Sequence, residues 1–362
     1  MKKTVNNSFA KRLLAWFDTH GRKELPWQKD VDAYGVWVSE IMLQQTQVRT
    51  VIPYYQEFLA SFPDVTALAD ADLDAVLQHW SGLGYYARAR NLHRAARLIR
   101  DEYNGEFPDE LEVVVALPGI GRSTAGAILS LAFNQRHTIL DGNVKRVLAR
   151  HETIAGWPGS TGVARELWAV AECFTPQSNV AGYTQAIMDL GATLCTRSKP
   201  DCGHCPVCDD CQARLADTIS DHPGRKPRKV KPLRRTTMVL ASNNCQVYLE
   251  RRPEAGIWGG LWSLPELGDR TLDEWCDDVL GSSAVDFDAW PVLRHSFSHF
   301  DLDIHPVVVR VGSRASKVAD GDSEKWHGLE DALPGGIAAP VQKLLDQLIV
   351  NQAKKGENVS HN

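Results

Sequence analysis

Leu117-Pro118-Gly119-Ile120-Gly121-Arg122-Ser123-Thr124-Ala125-Gly126-Ala127 decides the reading of this chain. Glycines two residues apart permit a backbone so tight that consecutive N–H groups point outward together, an anion-binding arrangement. The small and apolar residues from Thr124 onward read as a helix, whose positive N-terminal end faces the same way. Such a turn offers nothing that tells one base from another; it grips a phosphate. A short way on, Leu140-Asp141-Gly142-Asn143 sets an acidic residue at the start of a second helix, so chemistry can follow the grip. The plainer alternative is a helix–turn–helix elbow with Asp141 as a capping residue.

Outward from the hairpin, the pattern stays helical up to about residue 220. Asp70 reads as the N-cap of a helix carrying Leu73, Val76, Leu77 and Trp80, and Ser8 as the cap before Leu13, Leu14 and Phe17. Several such helices joined by short Gly- or Pro-containing turns imply an all-α domain over 1–221, with cysteines crowded at its end. His222 to Pro232 is rich in proline and charge, so 222–236 reads as an extended linker that lies against phosphates or simply tethers. The period then changes. Thr237–Ala241 and Gln246–Glu250 read as strands flanking Ser242-Asn243-Asn244, as does Leu302–Val309, and helical spacing returns at Val341, Leu344, Leu345 and Leu348. These residues form a separate α+β domain over 237–350, followed by a polar tail, 351–362, expected to be disordered.

A chain of 362 residues is long enough for two or three domains, each with a core. The formal net charge of −5 excludes a uniformly nucleic-acid-attracting surface, so any DNA contact rests on local basic patches. Arg88, Arg90 and Arg94 form one, Lys145, Arg146 and Arg150 another, and Arg225 to Arg235 a third; each also reads as an ordinary solvated face. No apolar run approaches membrane-spanning length and the N-terminus lacks a secretory segment, so the expected location is intracellular, cytoplasmic, with reduced thiols. In that setting Cys195, Cys202, Cys205 and Cys211 point to a metal, iron–sulfur or zinc. Spacing alone does not choose, because Cys202, Cys205, Cys208 and Cys211 form a rival set.

At this point the residues match a known family. The chain resembles the MutY-type adenine DNA glycosylases, within the endonuclease III superfamily of helix–hairpin–helix glycosylases. The resemblance covers about residues 8 to 350. It rests on Leu25-Pro26-Trp27, the run Ser39 to Val48, the run Gly82 to Leu92, the hairpin at 117–124, Asp141 and the cysteine spacing. It implies that Cys195, Cys202, Cys205 and Cys211, in the loop 195–211, ligate a [4Fe-4S] cluster and that Cys208 is surplus.

The resemblance also implies a reaction, hydrolysis of the N-glycosidic bond to adenine mispaired with 8-oxoguanine or guanine in double-stranded DNA. That needs a proton for the leaving base and negative charge near the sugar. Glu40 is the candidate acid. On helical spacing it aligns with Gln44 and Gln47 within a Val, Ile, Leu and Met segment, surroundings that raise a carboxyl's pKa. Asp141 is implied to stay ionised and stabilise the sugar cation, and Asn143 to orient the site. Ser123 takes the hairpin position where lyase relatives carry a lysine, and a hydroxyl cannot form an imine. The expected enzyme is therefore mainly monofunctional; the alternative is a bifunctional glycosylase/lyase for oxidised pyrimidines.

The target base must leave the duplex to meet Glu40. Gly119, Gly121 and Ser123 are expected to clamp a phosphate, with a monovalent cation at the hairpin. Gln45 and Tyr85 resemble residues that wedge into the duplex near the partner base. Gln185 is a candidate contact to the adenine edge, and Arg88 and Lys145 are further DNA contacts. Gly259 to Glu266 resembles part of the Nudix fold, yet the positions for its metal-binding acids hold Glu274-Trp275 and Asp278-Val279, so pyrophosphate hydrolysis is not expected. Phe297-Ser298-His299 resembles the loop that detects 8-oxoguanine. The fold class is thus an all-α helix–hairpin–helix glycosylase domain with an iron–sulfur subdomain, plus a Nudix-like α+β domain; the protein is expected to be a monomer.

Overall fold

The computed structural model describes residues 2–227, 230–243, 245–281, 286–311, 321 and 323–359. Helices α1 (Lys2–His20), α2 (Ala33–Leu43), α3 (Val48–Ser61), α4 (Val65–Asp70), α5 (Leu73–His79), α6 (Ala87–Tyr103) and α7 (Leu111–Ala116) lead to the hairpin. After it come α8 (Arg122–Phe133), α9 (Gly142–His151), α10 (Thr161–Phe174), α11 (Val180–Thr193) and α12 (Gln212–Leu215). The rest of the chain forms strands β1 (Leu233–Ser242), β2 (Gln246–Arg251) and β3 (Trp262–Ser263), helix α13 (Leu272–Trp275), then β4 (Phe287–Ala289), β5 (Leu293–Ser296), β6 (Asp301–Arg310), β7 (Glu324–Gly328) and helix α14 (Ala339–Val359).

Backbone contacts divide the chain into two units. One comprises residues 1–71 and 91–228, the other 72–90 and 229–362. The segment 72–90, which the sequence reading groups with the helical domain, therefore joins the C-terminal unit, and α6 starts in one unit and continues in the other.

In the helical unit, side-chain caps fix where helices begin. Asp32 Oδ1 accepts from the Gly35 N–H at 2.8 Å and Asp64 Oδ1 from the Ala67 N–H at 2.8 Å, starting α2 and α4. α8 stops at Asn134, whose left-handed φ of 52° closes the last turn. α2 packs on α8, and α11 on α1, α8 and α9. Phe9 and Leu13 of α1 bury against a core that includes Leu148, Leu167 and Ile187. Two caps differ from the sequence reading. Asp70 closes α4, bonding Arg100 instead, and α5 begins after Asp72. Ser8 lies inside α1, which starts at Lys2. Local cap chemistry allowed both readings; α1 runs on through Ser8, whereas α4 ends at Asp70.

The C-terminal unit is built on a seven-stranded sheet in the order β3-β2-β1-β6-β4, with β5 on β6 and β7 on β2. β1 and β6 run parallel, Leu233 opposite Asp301, while the other pairs are antiparallel. Val239, Tyr248 and the fully buried Trp275 share a core on it. Because β1 begins at Leu233, the last residues of the stretch read as linker are already strand. Arg228 and Lys229 of that stretch, and Asn244 of the first turn, lie outside the described residues. The tail is helical through Val359, correcting the disorder expected from 351; residues 360–362 lie outside the described residues.

Residues 72–90 are bonded into this unit at several points. Arg251 Nη2 donates to Asp74 Oδ1 at 2.7 Å, Arg90 Nη1 to the Gly259 carbonyl at 2.5 Å, and Tyr86 Oη to the Ile337 carbonyl at 3.0 Å. Gly336 lets the backbone approach α5 closely, since a Cβ there would sit 3.0 Å from the Cβ and carbonyl oxygen of Leu77.

Candidate active site

Glu40 and Asp141 open into one pocket of about 280 Å3 in the helical unit, with Leu25, Trp27 and Met188 in its apolar lining. Glu40 stands near the end of α2, a helix whose residues from Tyr34 to Met42 are otherwise buried. Burial, and secondarily the charge of Asp141, pushes its carboxyl up to about 8. Asp141 caps α9, its Oδ1 accepting from the Val144 N–H at 2.8 Å. Burial raises Asp141 too, but the amides of Val144 and Asn143 and the charges of Arg146 and Lys145 oppose it. Nothing cationic offsets burial at Glu40. The first proton to leave the pair therefore leaves Asp141, and Glu40 keeps its own near neutral pH.

Ser123, Asn143 and Gln185 line the same pocket. The Ser123 hydroxyl accepts from the Leu140 N–H at 2.9 Å, tying the start of α8 to the irregular segment that delivers Asp141. Asn143 Oδ1 accepts from Arg146 Nη2 at 2.8 Å, and Gly191 lets α11 approach it, a Cβ there falling 2.6 Å from that of Asn143. Gln185 Nε2 donates to Asp189 Oδ1 at 3.0 Å. Asp189, fully buried, also receives the Arg22 backbone N–H at 2.8 Å and its Nε at 3.0 Å. Arg22 and Asp189 are the residues sequence reasoning missed. An acid four residues after Gln185 on an otherwise apolar helix is the signal that was legible, the same one that singles out Glu40.

The hairpin fits its reading unevenly. Gly119 has φ +81°, and a Cβ there would lie 2.8 Å from the Cβ of Asn91. Gly121 has φ −97°, an ordinary extended value, and open space where a Cβ would stand. The first glycine is required by the fold; the second is not. Lys145 is half-buried on α9 beside Asp141 and does not line the pocket. Gln45 and Tyr85 are both exposed and both left-handed, with φ 61° and 50°. Backbone held there by non-glycine residues is uncommon and clusters at functional sites. Arg88 turns inward: its Nη2 donates to the Leu83 and Gly84 carbonyls at 3.3 and 3.2 Å, and its guanidinium lies 5.3 Å from the Trp80 ring. It braces the loop that carries Tyr85.

In the C-terminal unit the turn at Phe297 is closed by its N–H donating to the Phe300 carbonyl at 2.9 Å. Phe297 stacks on Phe300 at 4.5 Å and packs on Trp258 at 5.3 Å. With the phenylalanine as anchor, Ser298 and His299 are left exposed at the tip. Glu274 is occupied as a capping residue, accepting from the Thr271 N–H at 2.7 Å, and Trp275 is buried, so α13 presents no acidic cage.

All five clustered cysteines line one small, largely apolar cavity between α9, α11 and α12. Arg150 reaches it, its Nη1 3.3 Å from Cys195 Sγ while its other bonds hold the carbonyls of Thr196, Arg197 and His222. Cys208 instead places its thiol 3.5 Å from the Asp209 carboxylate. Among the described residues no three His, Cys, Asp or Glu side chains meet as ready-made ligands of a single ion. Thiols spaced around a cavity, with a guanidinium to balance thiolate charge, suit the corners of an iron–sulfur cluster.

Residues 38–173 match the HhH-GPD superfamily of base excision DNA repair proteins, and residues 236–347 the NUDIX domain. The adenine DNA glycosylase of Buchnera aphidicola subsp. Acyrthosiphon pisum is 37% identical over 354 residues, covering 95% of this chain and 98% of that one. That of Rattus norvegicus is 46% identical over 312 residues, covering 72% and 60%. A solved non-covalent endonuclease III–DNA complex shares the fold, with TM-score 0.51 and 21% identity over 60% of this chain and 98% of that one. No helix among the described residues is long and apolar enough to cross a membrane.

Proposed function

The chain belongs to the adenine DNA glycosylases of the HhH-GPD base excision repair superfamily, and from that premise we propose that it excises adenine mispaired with 8-oxoguanine or guanine, using Glu40 and Asp141. It is an enzyme that removes adenine, and DNA is its partner. The observation that carries the residue assignment is the shared pocket of a proton-retaining Glu40 and a cation-flanked Asp141.

The adenine is flipped out of the stack into the pocket. Glu40 donates its proton to the departing base, which keeps the electron pair of the broken N-glycosidic bond, and Asp141 stabilises the positive charge left on the sugar. Water then adds at the sugar carbon and gives up a proton to the Glu40 carboxylate, which restores the acid. Gln185, its amide nitrogen held by Asp189, keeps its carbonyl oxygen for a donor on the base edge, and Arg22 sits in the same network. Among the described residues none that lines the pocket is a lysine, which favours hydrolysis over imine chemistry. Gly119, Gly121 and the start of α8 take a DNA phosphate.

Cys195, Cys202, Cys205 and Cys211 would hold a [4Fe-4S] cluster, with Cys208 outside the set. When bound, the group supplies metal–thiolate cross-links to a segment of little regular structure.

The test is single-turnover excision on duplexes carrying adenine opposite 8-oxoguanine or guanine. Glu40→Gln and Asp141→Asn are each expected to slow excision by at least about 10²-fold while the DNA is still bound. Excision by either variant near the parental rate would reject the role given to that residue.

A further inference from the structure

The catalytic pocket and two of the three candidate probes of the partner base sit in different units. Every residue lining the Glu40–Asp141 pocket belongs to residues 1–71 or 91–228. Of the candidate probes of the partner base, Gln45 shares the pocket's unit, whereas Tyr85 and the 297–299 turn both belong to the other.

Tyr85 is far from free within that unit. Its left-handed backbone is flanked by Gly82 at φ +96° and Gly84 at φ +72°. A conformation of that kind persists only where its surroundings over-determine it. Trp80 Nε1 donates to the Gly84 carbonyl at 3.2 Å, and Arg88 bonds Leu83 and Gly84, so the loop is fixed to α5 and to the first turn of α6. Those helices are in turn bonded to the sheet-bearing residues, Asp74 to Arg251 and Arg90 to the Gly259 carbonyl. Arg251 has a further reach, its Nε lying 3.4 Å from the Gly260 carbonyl, so its guanidinium spans α5 and the 259–260 turn. At about 28% exposure for each partner the ion pair adds little to stability. Its directional bonds matter more, because they set where α5 stands.

We propose that Asp74, Arg251 and Arg90 are positioning residues that fix Tyr85 relative to the 297–299 turn, so that both probes meet the base opposite adenine as one body and set the preference for 8-oxoguanine. This rests on the reading that Tyr85 enters the duplex beside that base. The ion pair acts on recognition and not on the acid chemistry, since neither partner lines the pocket.

The experiment compares single-turnover excision of adenine opposite 8-oxoguanine and opposite guanine, in the full-length protein. Asp74→Ala and Arg251→Ala are each expected to lower the ratio of the two rates about fivefold. The reversed pair, Asp74→Arg with Arg251→Asp, restores at least half of the loss. In a Tyr85→Ala background neither alanine change lowers the ratio further, and the pH profile of excision is the same throughout. Should an alanine variant fold poorly by its thermal midpoint, Arg251→Gln and the reversed pair carry the comparison. An unchanged ratio in the single variants overturns the proposal, as do losses that multiply with Tyr85→Ala. Failure of the unaltered protein to excise adenine from either duplex would instead overturn the proposed function beneath it.

Discussion

At the scale of single residues, the carboxyl of Glu40 sets a pH dependence with a definite sign. Burial pushes it up to about 8, far above its ordinary range, so the folded protein holds a proton that the unfolded chain has released. Stability therefore falls as pH rises from about the ordinary glutamate value to about 8, and the cost is absent below that window. Glu40→Gln removes the titration. The variant is expected to be more stable than its parent at pH 8–9, by about 1–3 kcal/mol, with the gap closing near pH 4–5. Thermal unfolding across that range measures it, and a gap independent of pH contradicts the assignment. In the parent, excision should decline as pH climbs through about 8, where the acid is lost. Glu40 was legible in the sequence because one acid interrupts an apolar run. Asp189 carried the same signal and was passed over, since its partner Arg22 lies 167 positions away and no local pattern links them.

At the scale of elements, the two hairpin glycines separate fold from grip. Gly119→Ala places a side chain at φ +81° and against Asn91, which is expected to cost about 1–3 kcal/mol of stability. Gly121→Ala meets neither obstacle, so its thermal midpoint should stay close to the parent's while affinity for duplex DNA falls, because a methyl group now stands where a phosphate approaches. Equal DNA affinity in the Gly121 variant, measured by fluorescence anisotropy, counts against the phosphate role. The cysteine loop allows a similar separation. Cys208→Ser should retain the brown absorbance of an iron–sulfur protein, and a colourless product from that change alone would reassign the ligands. Element type was readable at the hairpin, at β2 and β6 and at the start of α14, but not in the 351–359 tail. Of the helix starts, Asp141 was read correctly while Asp70 and Ser8 were not. Asp70 and Asp72 are both plausible caps, and only the pairing of Asp70 with Arg100 decides between them. At α13 the signal was present but passed over, because Thr271 and Glu274 have the spacing of a capping box, which marks Glu274 as a cap.

At the scale of the whole molecule, sensing is assigned to a surface far along the chain from the chemistry. Ser298→Ala is expected to slow excision opposite 8-oxoguanine more than opposite guanine, by about three- to tenfold, the worth of one hydrogen bond. Loss of equal size on both duplexes would deny Ser298 a part in discrimination. The sequence showed two domains through the change of hydrophobic period after the linker. It did not show that residues 72–90 side with the later one, because those bonds join positions some 170 to 250 apart. That membership bears on how the protein is dissected. A fragment ended at residue 228 would strand Leu77, Tyr86 and Arg90 without the surface they rest on, and the start of α6 would fray with them. Amide exchange over 72–90 should quicken in such a fragment, and its lowered activity would report a wound to the remaining piece as well as the loss of the discarded one.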